Sequence, residues 1–206
     1  MNKTEALNIV VSLSQPSKMP CHGYSLPAVE CKIGSELRKV PGSVCHGCYA
    51  LKGNYTRFPA IQRTLYDRLA AIHDPRWEEA MIFLLKDMPY FRWFDSGDLQ
   101  DESLLIKILN IAEGTPKTKH WLPTREYKIV EDVLKYRKLP DNLTLRLSAH
   151  MIDKPGPIEL AKRLNVQISE VGTTKYTCPA PEQENECKNC RKCWDTKQFN
   201  IIYHKH

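Results

Sequence analysis

Apolar positions along the chain change their period from stretch to stretch, and each change predicts an element. The run ALNIVVSL is short, apolar and β-branched, which predicts a buried strand over Ala6–Leu13. More than 40 residues rich in Pro, Gly, Ser and Cys follow and predict a loop. A loop of that length is uncommon in a compact domain unless it is functional or tied down, and its four cysteines supply a tie. Ala60–Ile72 then predicts a helix. A second helix is expected to start with Asp74 as N-cap and Pro75 at its first position. Its residues Trp77, Ala80, Met81, Leu84, Leu85 and Met88 recur at helical spacing and define one apolar face.

From there the pattern alternates. Strands are expected at Tyr90–Phe94, Lys119–Leu122, Leu143–Leu147 and Val166–Ile168. Helices are expected at Glu102–Glu113, closed by Gly114, and at Glu126–Tyr136 and Ile158–Leu164. Strands recur every 23–29 residues, the size of a βα unit, which favours parallel strands with right-handed crossovers. Counting Ala6–Leu13, the expectation is an α/β fold: a partial, open (β/α) barrel of about five mainly parallel strands. One domain covers 1–206, with the partial barrel over 1–176 and a polar, Cys-rich appendix over 177–206.

Composition narrows the function classes. Apolar residues make up 42% of the chain, enough for a packed core and too many for wholesale disorder. No run reaches the roughly 18–20 apolar residues that span a bilayer, so no membrane partner is expected. The apolar stretch near the N-terminus is too short for a signal-peptide core, which places the protein in the cytoplasm. The net charge of +6 is a weak argument for nucleic acid, because no long Lys/Arg block accompanies it. Eight cysteines in a reducing compartment point to metal rather than to disulfides.

The cysteines fall into two groups. Cys178, Cys187, Cys190 and Cys193 are spaced C-x8-C-x2-C-x2-C, and the C-x2-C-x2-C run has the ferredoxin-like spacing for a 4Fe–4S cluster. Zinc is the rival ligand, although zinc sites usually pair two C-x2-C hairpins. The other group is Cys21, Cys31, Cys45 and Cys48, of which only Cys45-x2-Cys48 has metal-grade spacing. Cys21 and Cys31 are further ligands or small buried apolar residues. Three ligands would leave one iron open, whereas four would close the site. His22 and His46 adjoin cysteines, and solvated loop histidines are the simpler reading.

In barrel-like α/β folds chemistry sits at the C-terminal ends of strands. Here Asp95, Ser96, Gly97 and Asp98 follow FRWF, Thr124, Arg125 and Glu126 follow HWLP, and Ser148–His150 follow LTLRL. Helix capping by Asp101 or Thr124 accounts for one residue per helix, not for three or four. Asp95, Asp98, Arg125 and Glu126 suit a polar small molecule with an amine and a carboxylate.

The stretches PGSVCHGCYALKGNY, RWFDSGDLQ, WLPTRE, LRLSAH and CPAPEQENECKNCRKCWD resemble, in that order, the phage gene product 88 family over about Lys18–Trp194. More distantly, CHGCYA is similar to the end of the cysteine loop of radical S-adenosylmethionine (SAM) enzymes. The position of SGD is similar to that of their Gly-Gly-Glu-like motif. That resemblance implies a cluster on Cys31, Cys45 and Cys48 with Cys21 as a further ligand, and Gly97 and Asp98 at the SAM amine. The spacing here is C-x13-C-x2-C where those enzymes have C-x3-C-x2-C. The C-terminal cysteines would resemble an auxiliary cluster.

Three functions follow. The chain is an iron–sulfur enzyme of radical-SAM-like build, with one or two 4Fe–4S clusters, SAM and an electron donor, in the host cytoplasm if phage-encoded. Alternatively it is an iron–sulfur protein for electron transfer, sensing or structure. The third reading is a zinc-stapled nucleic-acid-binding module.

Overall fold

The computed structural model describes residues 1–205, with Asn54 as backbone alone. The first element corrects the sequence reading. Lys3–Val10 is a helix, α1, where a strand was expected at Ala6–Leu13. Two local signals outweigh the β-branched run. Asn2 and Glu5 form a reciprocal capping box, in which the Asn2 side chain accepts from the Glu5 N–H at 2.9 Å. Ala6, Ile9 and Val10, the buried residues, lie at helical spacing.

The first strand, β1 (His22–Tyr24), falls inside the stretch read as loop. Short helices α2 (Lys32–Leu37) and α3 (Asn54–Arg57) follow, and then α4 (Pro59–Ala71) and α5 (Trp77–Leu85). Asp74 does not cap α5 directly. Its carboxylate accepts from the Arg76 N–H at 2.8 Å, and the helix begins a residue later.

The rest alternates as the pattern predicts: β2 (Tyr90–Trp93), α6 (Glu102–Gly114), β3 (Lys119–Thr124), α7 (Tyr127–Val133), β4 (Leu143–Ser148), α8 (Ile158–Leu164) and β5 (Gln167–Gly172). A last strand, β6 (Asn200–His204), lies within the expected appendix. The six strands form one open, wholly parallel sheet in the order β1-β2-β3-β4-β5-β6. The expected count of about five is therefore one short.

Side chains alternate between the two faces of the sheet. Phe91, Trp93, Leu122, Leu143, Leu145, Leu147 and Ile168 join the helices in the main core. The other face carries Trp121 and Ile201, and it is covered by the C-terminal segment through Cys193 and Trp194. Trp194 fixes that cover by donating its indole N–H to the Phe91 carbonyl at 2.9 Å. The Cys-rich segment is thus a second layer of the fold. All strands run the same way, so their C-terminal ends share one rim.

Candidate metal centres

The loop after β1 brings three thiols to that rim. Cys31 opens α2, and Cys48 opens the short 3-10 helix Tyr49–Leu51. Their meeting point is marked by Gly34. A Cβ there would lie 2.8 Å from the Cys31 Cβ and 3.7 Å from the sulfurs of both Cys31 and Cys45. Those two sulfurs therefore stand within about twice that distance of each other. Burial raises the Cys31 thiol pKa, and Asp98, Cys45 and Cys48 raise it further. Arg125 is the neighbouring cation that works against this.

The loop is held to the strand ends by named bonds. Leu26 N–H donates to the Ser96 carbonyl, and the Ser96 hydroxyl donates to the Leu26 carbonyl, both at 2.9 Å. Ile33 N–H donates to the Glu126 carboxylate at 2.9 Å, and Val44 N–H to the His150 carbonyl at 3.0 Å. Gly97 has φ +83, and a Cβ there would sit 2.6 Å from the Leu26 Cβ. Its glycine is needed for this close approach.

The polar residues at the rim are largely occupied by one another. Asp98, 4% exposed, accepts from the Thr124 hydroxyl at 2.6 Å, Leu99 N–H at 2.8 Å and Arg125 N–H at 3.0 Å. Burial still pushes its pKa above the usual carboxylate range. Glu126 is 5% exposed, and burial raises its pKa as well. The Arg125 Nε is buried without a hydrogen-bond partner among the described residues. His150 stacks on Tyr127 with ring centres 4.4 Å apart. Asp95 accepts from Ser25 and, at 2.8 Å, from the Tyr55 hydroxyl. Sequence reasoning missed Tyr55, because its reach to the end of β2 depends on how α3 folds back.

Cys21 is not at this rim. It directly precedes β1, so it lies at the opposite end of that strand from Cys31, Cys45 and Cys48. It packs instead against the cluster of Trp121, Cys193, Trp194 and Ile201 on the face away from the main core, a cluster that Met19, Tyr90 and Cys178 also border. Cys187 and Cys190 join this second group: after burial, Cys190 raises the thiol pKa of Cys178 and Cys187, and Cys187 raises that of Cys193. Burial pushes Cys21 and Cys193 each up to about 12. The Cys193 sulfur lies 3.3 Å from the Tyr203 hydroxyl. His46, exposed, meets the Arg38 carbonyl at 3.0 Å, as a solvated loop histidine would.

Two arginines on strands face the second group. Arg146 of β4, 0% exposed, donates to the carbonyls of Cys193, Ile168, Gln198, Lys192 and Asp195. Burial lowers its pKa. Arg92 of β2 stacks on Trp121 at 4.6 Å, donates to the Met19 sulfur and leaves its buried Nε unpartnered. Neither arginine forms an ion pair among the described residues. The position of Arg92 could have been found from the strand alternation, which puts it opposite Phe91 and Trp93.

Among the described residues no three His, Cys, Asp or Glu side chains converge where one metal ion could bind. Thiolates on a four-iron cluster each bind a different iron. They therefore stand wider apart than ligands of a single zinc, which lie about 2.3 Å from their metal. Two surface hollows, of about 890 and 410 Å³, open elsewhere and neither is lined by a cysteine. No helix among the described residues is long and apolar enough to cross a membrane.

Fold and site together define an α/β protein with an open six-stranded parallel sheet and two separate thiol groups. The chain belongs to the gene product 88 family, whose sequence pattern matches residues 2–196. No curated protein and no solved structure matches it. The comparisons lend no support to the more distant likeness to radical SAM enzymes.

Proposed function

We propose that the chain is an iron–sulfur protein with two centres, one at the rim thiols and one at the C-terminal thiols. The observation that carries this reading is Arg146. A guanidinium with no exposed surface lies beside Cys193 and has no carboxylate partner. A buried cation without counter-charge costs several kcal/mol. Burial raises the pKa of the Cys193 thiol, so in its neutral form it supplies no counter-charge. A four-iron cluster on four thiolates carries about −2, which Arg146 and Arg92 offset. At the rim, the half-buried Arg125 is a cation near Cys31 and Cys45. Gly34 puts no side chain against the Cys31 and Cys45 sulfurs.

When bound, such clusters take up and release single electrons. The chain's own part is to hold and insulate them. Glu126 and Ser96 fix the cysteine loop against the strand ends, and Trp121 and Trp194 pack around Cys193 of the second group.

The finer reading is radical-SAM-like. Its support is that the three-thiol loop follows β1 and that Ser96–Asp98 follows β2. Three protein thiolates leave one iron free for a ligand, and the unpartnered Arg125 Nε offers a cation to a carboxylate. Asp98 favours a second reading, in electron transfer, sensing or structure. Three of its acceptor positions are taken by Thr124, Leu99 and Arg125, which suits a positioning residue better than an amine-binding one. The two readings separate in one experiment. Anaerobically reconstituted protein is given dithionite and SAM. Methionine and 5′-deoxyadenosine support the first reading; intact clusters with neither product support the second. Uptake of zinc alone overturns both.

A further inference from the structure

We infer that Cys21 is a ligand of the C-terminal centre, so that this centre draws on both ends of the chain while the rim keeps three thiols. The inference rests on the two-centre reading above and extends it to a residue whose sequence position suggests the opposite grouping.

Four observations place Cys21 there. It precedes β1, whereas Cys31, Cys45 and Cys48 follow it, so the strand itself separates them. Within the parallel register His22 lies beside Phe91, which sets Cys21 level with Tyr90, the ring that meets Trp194 at 5.3 Å. The Cys187 N–H donates to the Lys18 carbonyl at 3.0 Å, tying the segments that carry Cys21 and Cys187 to each other. The Cys21 side chain packs against the cluster of Trp121, Cys193, Trp194 and Ile201. The second group then holds five thiols: Cys21, Cys178, Cys187, Cys190 and Cys193. A four-iron cluster takes one thiolate per iron. Cys21, a free cysteine, is then one of the four ligands, and one of the C-terminal cysteines is left over.

The test uses the full chain with Cys31→Ala, Cys45→Ala and Cys48→Ala combined, so that any iron taken up belongs to the second centre. Adding Cys21→Ser is expected to lower iron per chain about twofold or more, or to shift the electron paramagnetic resonance of the reduced cluster as an oxygen ligand replaces sulfur. Circular dichroism of the iron-free forms shows whether the serine variant folds. A parallel measurement on the unmutated protein avoids that question. Cys21 in the iron-loaded form should react with iodoacetamide about tenfold more slowly than after chelation, and should keep this protection in the triple variant. Unchanged iron and resonance on Cys21→Ser, or protection that vanishes with the rim cysteines, overturns the inference. Protein that takes up no iron in any form overturns the two-centre reading itself, and the metal count tells that failure apart.

Discussion

The backbone N–H of Ile33 donates to the Glu126 carboxylate at 2.9 Å, across 93 residues of sequence. One end of this bond lies in the first turn of the cysteine helix and the other just past the end of β3. It fixes the place of Cys31 relative to the rim. Glu126→Gln keeps an acceptor oxygen and is expected to hold the loop. Glu126→Ala leaves the N–H unpaired and should cost about 1–3 kcal/mol. Urea unfolding of the iron-free protein checks the first effect, and iron per chain checks whether the rim centre loosens with it. Equal behaviour of the two variants contradicts this role.

Gly97 separates a packing role from a ligand role. Gly97→Ala forces a Cβ to within 2.6 Å of Leu26 at a φ of +83. The expected cost is about 1–3 kcal/mol in the absence of any small molecule, read as a lower melting temperature. A variant as stable as the parent would assign Gly97 to ligand contact instead.

His120 predicts a pH dependence. Burial lowers its pKa to about 3 against an ordinary value of 6.5, while its ring meets the Thr115 hydroxyl at 2.8 Å. Between those values the unfolded chain binds a proton that the folded chain does not. Its contribution to stability is therefore complete above pH 6.5 and is lost as pH falls toward 3. The slope is about 1.4 kcal/mol per pH unit within that window. His120→Gln keeps a polar contact to Thr115 without titrating. Its stability should fall less steeply than the parent's between pH 6.5 and 5, measured by urea unfolding. Parallel slopes contradict the assignment.

Arg92 tests the charge argument by a difference between iron-free and loaded protein. Arg92→Met keeps much of the volume over Trp121 and removes the cation. In iron-free protein the loss of this cation, which has no ion-pair partner among the described residues, should change stability little. In loaded protein the same change should speed iron loss to a chelator and make the second centre harder to reduce. An equal loss of stability in both forms would show that Arg92 is a packing residue only.

The pattern of apolar residues made the middle of the fold legible. The bounds of α8, Ile158–Leu164, follow directly from it, and α6 differs from expectation by one residue. Gly114 was read as a stop signal. It is the last residue of α6, and a side chain there would strike Ile82 at 2.7 Å, so it serves helix packing as well. The two ends of the chain were less legible. Ala6–Leu13 carries strand-like residues at helix-like spacing, and the cap at Asn2 and Glu5 decides between them. β1 has only three residues and β6 sits beyond a cysteine segment, so neither offers a periodic signal. That error carried through to the site. With the first strand placed at Ala6–Leu13, all four N-terminal cysteines seem to follow it. With β1 at His22–Tyr24, Cys21 changes sides.

Metal and sulfide analysis of protein purified without oxygen tests the central claim most directly. Two four-iron centres predict brown material absorbing near 400 nm, with iron and acid-labile sulfide in equal amounts, up to about eight of each per chain. Colourless protein with less than about one iron per chain, or with zinc in its place, contradicts the account.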